Sequence, residues 1–143
     1  MGPVMQESSR NHHRVLIVES NPDAREVILS TLKKAGYLLE EASNGDEAVT
    51  LLGLDSPAAP VNAIVCDIRA KKINGIEAVT YFRVRYPQIP VIVTASYPDI
   101  EWAITLMKRG ATDYLVKPVS REDLLMVVKN AVHRYLTVSR GSL

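Results

Sequence analysis

Short apolar runs rich in valine and isoleucine recur along the chain at "RVLIVE", "NAIVCD" and "PVIVTA", with weaker ones at "YLLEEA" and "DYLVK". Each predicts a strand. The first three are continuously hydrophobic rather than alternating, which predicts burial on both faces of a sheet. Helical patterns with legible ends lie between them. Asn21 suits an N-cap and Pro22 the first turn; Ala24, Val27, Ile28, Thr31 and Ala35 trace one face, and Gly36 is a stop. A second helix follows the Asn44-Gly45 turn through "EAVTLL", the loop "GLDSPAAPV" interrupts, and a third spans about Ile76 to Tyr86 before Pro87 and Pro90 turn the chain. The fourth runs from about Pro98 to Arg109 and stops at Gly110. The fifth opens on "SRED", where Ser120 and Asp123 have capping-box spacing, and continues to about Tyr135.

Strands alternating one for one with helices predict an α/β fold: a doubly wound five-stranded parallel sheet with right-handed crossovers and helices on both faces. At 143 residues the chain has the length of one domain. It divides into a polar N-terminal arm at 1–13, holding His12 and His13, a domain at 14–136, and a tail or start of a linker at 137–143. A net charge of +1 argues against nucleic acid as a bulk electrostatic partner. No apolar run approaches the roughly 20 residues that cross a bilayer, and the start lacks the apolar core of a signal peptide, so the expected location is cytoplasmic. The single cysteine, Cys66, sits inside an apolar run and reads as a structural thiol.

In doubly wound sheets, ligands bind outside the carboxyl ends of the strands, where the strand order reverses. The three buried runs end at Glu19, Asp67 and Thr94, and the last strand delivers Lys117 before Pro118. Taken singly each has a bland explanation: an acid caps the next helix, threonine is a good strand former, a loop lysine is solvated. Together they bring two acids, a hydroxyl and an ammonium to one crevice.

With "MKRGATDYLVKP", "VIVTA", "IVCDI" and "NGIEAV" in this order and spacing, the chain from about Arg14 to Tyr135 resembles the receiver domains of two-component response regulators. The resemblance implies a flavodoxin-like sheet of strand order 2-1-3-4-5. It implies Asp67 as phosphoacceptor, Thr94 as the hydroxyl that binds the phosphoryl group, Lys117 as its cation, and Tyr114 as a switch aromatic coupled to Thr94. A Mg²⁺ ion is implied at Glu19, Asp67 and the backbone carbonyl of Arg69, with Arg69 and Ser96 setting phosphoryl lifetime. The implied partners are a sensor histidine kinase or phosphotransfer protein, an output domain or separate effector, and a second copy through the fourth helix, fifth strand and fifth helix. Neither nucleic acid nor membrane is expected to bind this domain directly.

Two departures stand out. Receivers usually carry two adjacent acids after the first strand, the second binding Mg²⁺ directly, whereas this chain has Glu19 and Ser20. Beyond Asp67 it reads "DIRAKKINGIE", making that rim basic at Arg69, Lys71 and Lys72. Arg69 either repels the metal, binds phosphoryl oxygens with two donors, or points to water. Two readings follow: a phosphoacceptor, supported by the intact Asp67, Thr94, Tyr114 and Lys117, or a pseudo-receiver acting by protein contact alone. A small α/β phosphatase or flavin protein is a remote third, since no glycine-rich phosphate loop follows the first strand. On the fourth helix, Ile100, Ala103, Ile104 and Met107 are expected to be buried. Trp102 and Leu106 are then expected on the opposite flank as a docking surface, unless Trp102 folds back over its neighbours.

Overall fold

The computed structural model describes residues 13–54, 60–68, 75–96 and 99–141. Among these residues ten elements alternate: β1 (Arg14–Val18), α1 (Pro22–Lys34), β2 (Leu38–Ala42), α2 (Gly45–Gly53), β3 (Val61–Asp67), α3 (Gly75–Arg85), β4 (Val91–Ala95), α4 (Ile100–Lys108), β5 (Asp113–Val116) and α5 (Arg121–Gly141). The strands form one sheet in the order β2-β1-β3-β4-β5, with every pairing parallel. The α/β fold class and the expected order are therefore both present.

Alternate side chains of each central strand feed opposite cores, which is why those strands read as continuous apolar runs. Val15 and Ile17 of β1 join Ala63, Val65 and Ile92 beneath α1 and α5, where Ile28, Leu32, Leu124 and Val128 close the layer. Leu16 and Val18 join Ile64, Cys66 and Val93 on the other face, covered by Leu52 of α2, Phe82 of α3 and Leu106 of α4. Asn21 Oδ1 accepts the Ala24 N–H at 2.9 Å and caps α1 as expected, and Asn44, expected in a turn with Gly45, caps α2 by accepting the Glu47 N–H at 2.9 Å. Gly36 and Gly110 take positive φ, 97° and 112°, at the ends of α1 and α4. In each case the residue after the glycine donates its N–H back into the last turn, Tyr37 to Leu32 O and Ala111 to Leu106 O.

Three expectations need correction. The buried stripe of α1 is Ile28, Thr31 and Leu32, whereas Val27 and Ala35 are exposed, because the helix leans its middle turns onto the sheet. The phase of α4 is reversed: Leu106 is fully buried and Trp102 half-buried against the core, while Ile100, Ile104 and Met107 are 75%, 48% and 43% exposed. Nor does α5 stop near Tyr135; it runs to Gly141. No proline or glycine interrupts "LTVSR", so nothing local ends the helix sooner. Among the described residues, no helix is long and apolar enough to cross a membrane.

Candidate functional site

The strand order reverses direction around β1 and β3, and their adjacent carboxyl ends define the crevice. Glu19 follows β1, Asp67 ends β3 and Thr94 lies near the end of β4, in register with Asp67 across the ladder. Lys117 follows β5 and precedes a cis bond to Pro118. Parallel pairing thus brings all four strand-end residues to one edge of the sheet.

Lys117 Nζ lies 2.8 Å from Glu19 Oε1 and 3.4 Å from Asp67 Oδ2, so one ammonium serves both acids. Glu19 is only 1% exposed. Its second oxygen, Oε2, accepts the Asn21 N–H at 3.1 Å, at the start of α1. Its backbone is held as well: the N–H donates to Ala42 O at 3.0 Å and the carbonyl accepts from Arg25 Nη1 at 2.8 Å. Arg25 also reaches Ser43 Oγ at 3.4 Å and lies 3.8 Å from Glu41 Oε1. Sequence reasoning missed this arginine. Its signal was its place in the first turns of α1, next to the Asn21 cap, where a long basic side chain can reach back over the end of β1.

Thr94 is fully buried, and its Oγ1 has no hydrogen-bond partner among the described residues. A buried hydroxyl left unpaired is costly, so a missing acceptor is the natural reading of this position. Tyr114 is partly buried against the core beside Asp99, the N-cap of α4. Burial raises its phenol pKa, the Asp99 charge raises it further, and a backbone hydrogen bond at Asp99 offsets part of the rise. The Cys66 thiol is pushed up to about 12, mainly by burial and then by the charges of Asp67 and Glu19, consistent with a structural thiol. Ser96 lies at the edge of a cleft of about 460 Å³ between α1 and the segment after β5, with apolar walls from Val27, Ile28, Pro118 and Val119 and Lys117 at its rim.

Leu106 is buried in the core and offers nothing to a docking surface; the interface expectation for it is corrected by the reversed phase of α4. Trp102 is half-buried and packs inward. Arg69, with Lys71 and Lys72, lies outside the described residues.

A resident Mg²⁺ would need oxygen donors with carboxylates among them. Among the described residues, no cluster of three or more His, Cys, Asp or Glu is placed to hold a metal. Ser20 supplies a neutral hydroxyl, Glu19 Oε2 is taken by the Asn21 N–H while Oε1 has the Lys117 ion pair but no hydrogen bond among the described residues, and Asp67 shares that ammonium. The donors among the described residues do not fit a firmly held divalent cation.

A family profile described as "Response regulator receiver domain" matches residues 15–129. An NtrX-like response regulator of Rickettsia bellii is 33% identical over 119 residues, covering 82% of this chain and 24% of that protein. The response regulator protein PilR of Pseudomonas aeruginosa is 33% identical over 122 residues, covering 85% of this chain and 26% of PilR. The chain thus spans about a quarter of the length of these relatives. Among solved structures, a response regulator from Chloroflexus aurantiacus superposes with a TM-score of 0.77 at 28% identity, covering 85% of this chain and 98% of that one. A receiver domain protein from Clostridium thermocellum gives a TM-score of 0.80 at 24% identity, covering 88% and 98%.

Proposed function

We propose, on the premise that this chain belongs to the response regulator receiver domain family, that Asp67 is its phosphoacceptor and that phosphorylation there is its signal. Such a domain is a signalling module and not a conventional enzyme. The observation that carries the reading is the Lys117 ammonium, 3.4 Å from Asp67 Oδ2 at the carboxyl end of a buried strand. Phosphoryl transfer depends mostly on positioning and on stabilising charge at the phosphoryl oxygens, and a fixed cation beside the nucleophile supplies both.

An Asp67 carboxylate oxygen attacks phosphorus on a phosphohistidine of the partner; the P–O bond forms as the P–N bond breaks, and the imidazole leaves with the electron pair. Lys117 moves part of its contact from Asp67 to the phosphoryl oxygens. The Thr94 hydroxyl, without a hydrogen-bond partner among the described residues, donates to one of those oxygens. Movement of Thr94 frees space for Tyr114, and because Tyr114 lies beside the cap of α4, the start of that helix moves with it. The apolar cleft beside Lys117 supports docking of the donor protein, and the outward Ile100, Ile104 and Met107 support a readout surface on α4.

Intact-protein mass after incubation with acetyl phosphate, with and without MgCl₂, tests the assignment. The expected result is a single phosphate adduct that disappears in Asp67→Asn. No adduct under either condition, while a conventional receiver labels in parallel, would favour signalling by protein contact alone, the reading to which Ser20 lends support.

A further inference from the structure

We infer that the resident cation of this site is Lys117 itself, and that Ser20 sets the crevice below the negative charge needed to hold Mg²⁺. The inference concerns the same site as the phosphoacceptor reading but rests only on the unphosphorylated geometry.

The ammonium stands between the two carboxylates, 2.8 Å from Glu19 Oε1 and 3.4 Å from Asp67 Oδ2. A divalent ion ligated by both acids has to displace or push aside that charge. Glu19 cannot turn freely to meet it, because Oε2 is held by the Asn21 N–H at the N-terminus of α1, where the helix dipole also favours a carboxylate. Turning Glu19 away from Lys117 and Asn21 leaves a backbone donor without its acceptor and the ammonium with Asp67 alone, a costly exchange for a carboxylate 1% exposed.

The charge balance points the same way. Glu19, Asp67 and Lys117 together carry one net negative charge, and the Arg25 guanidinium sits 2.8 Å from the Glu19 carbonyl, lowering the attraction for any further cation. An acid at position 20 would double that net charge and supply an oxygen not committed to Lys117. Serine does neither. Mg²⁺ sheds water reluctantly, so a neutral hydroxyl in place of a carboxylate is a poor recompense for dehydration.

The test titrates ¹⁵N-labelled unphosphorylated protein with MgCl₂ and follows the amide resonances of residues 18–21 and 66–68. Ser20→Asp is expected to bind at least about tenfold more tightly than the wild type. Lys117→Met, which frees both acids of their ammonium, is expected to gain affinity without any change at position 20. The spectra themselves report whether each variant is folded. Wild-type binding equal to that of Ser20→Asp, or Lys117→Met binding no better than wild type, overturns the inference. Because the readout is metal binding and not adduct formation, it succeeds or fails independently of whether Asp67 accepts phosphate.

Discussion

Lys117 is the residue on which the crevice depends, because two nearly buried acids converge on its ammonium. Breaking a buried ion pair from one side leaves charge uncompensated, and Lys117→Met is expected to cost about 3 kcal/mol in urea denaturation. Adding Glu19→Gln in the same chain should recover part of that loss, and no recovery would show that the pair is not coupled. Cys66 makes a second residue-scale prediction. Its thiol titrates at about 12 in the fold against an ordinary 9.0, so above pH 9 the unfolded chain sheds this proton while the folded chain keeps it. The unfolded state then binds fewer protons, and stability falls as pH rises. The phenols of Tyr37 and Tyr114, both raised, start from 10.0, so between pH 9 and 10 the slope belongs chiefly to Cys66. Chemical denaturation across that interval should show the decline in wild type and a flatter profile in Cys66→Ala.

At the scale of elements, α4 shows what periodicity can and cannot decide. Ile100, Ile104 and Met107 form one apolar stripe and Trp102, Ala103 and Leu106 another, so the helix is apolar nearly all round and two phases are available. Packing selects the second, with Leu106 in the same core cluster as Phe82 of α3 and Val93 of β4. Leu106→Ala is accordingly expected to cost about 2–5 kcal/mol, as large-to-small core substitutions do. Ile104→Ala should stay within about 0.5 kcal/mol, as surface changes do, and the opposite ranking in denaturation midpoints would reverse the assigned phase. The helix starts were more legible. Asn21, Asn44 and Ser120 each accept a backbone N–H three residues on, a local event that needs no tertiary contact. The end of α5 was not legible, since no breaker stands before Gly141 and residues beyond the core can continue a helix that packing has already nucleated.

For the whole molecule, most of the site could be read because a parallel sheet converts sequence order into position. Once "VLIV", "AIVC" and "VIVT" are strands, their terminal residues meet at one edge regardless of detail, and Glu19, Asp67, Thr94 and Lys117 do so. What remained hidden depended on side-chain reach: the grip of Arg25 on the end of β1, and the hold of the Asn21 N–H and the Lys117 ammonium on Glu19. Those two features leave the crevice a compact cluster of two acids around one ammonium, whose buried Thr94 hydroxyl has no hydrogen-bond partner among the described residues. The most direct measurement is the location of the phosphate: treat the chain with a phosphodonor, trap any acyl phosphate with borohydride, which converts the modified aspartate to homoserine, and map the product by tandem mass spectrometry. Homoserine at position 67 alone is the expected result. Conversion at another acid with position 67 untouched, or none at all beside a labelled control receiver, would contradict the assignment of Asp67.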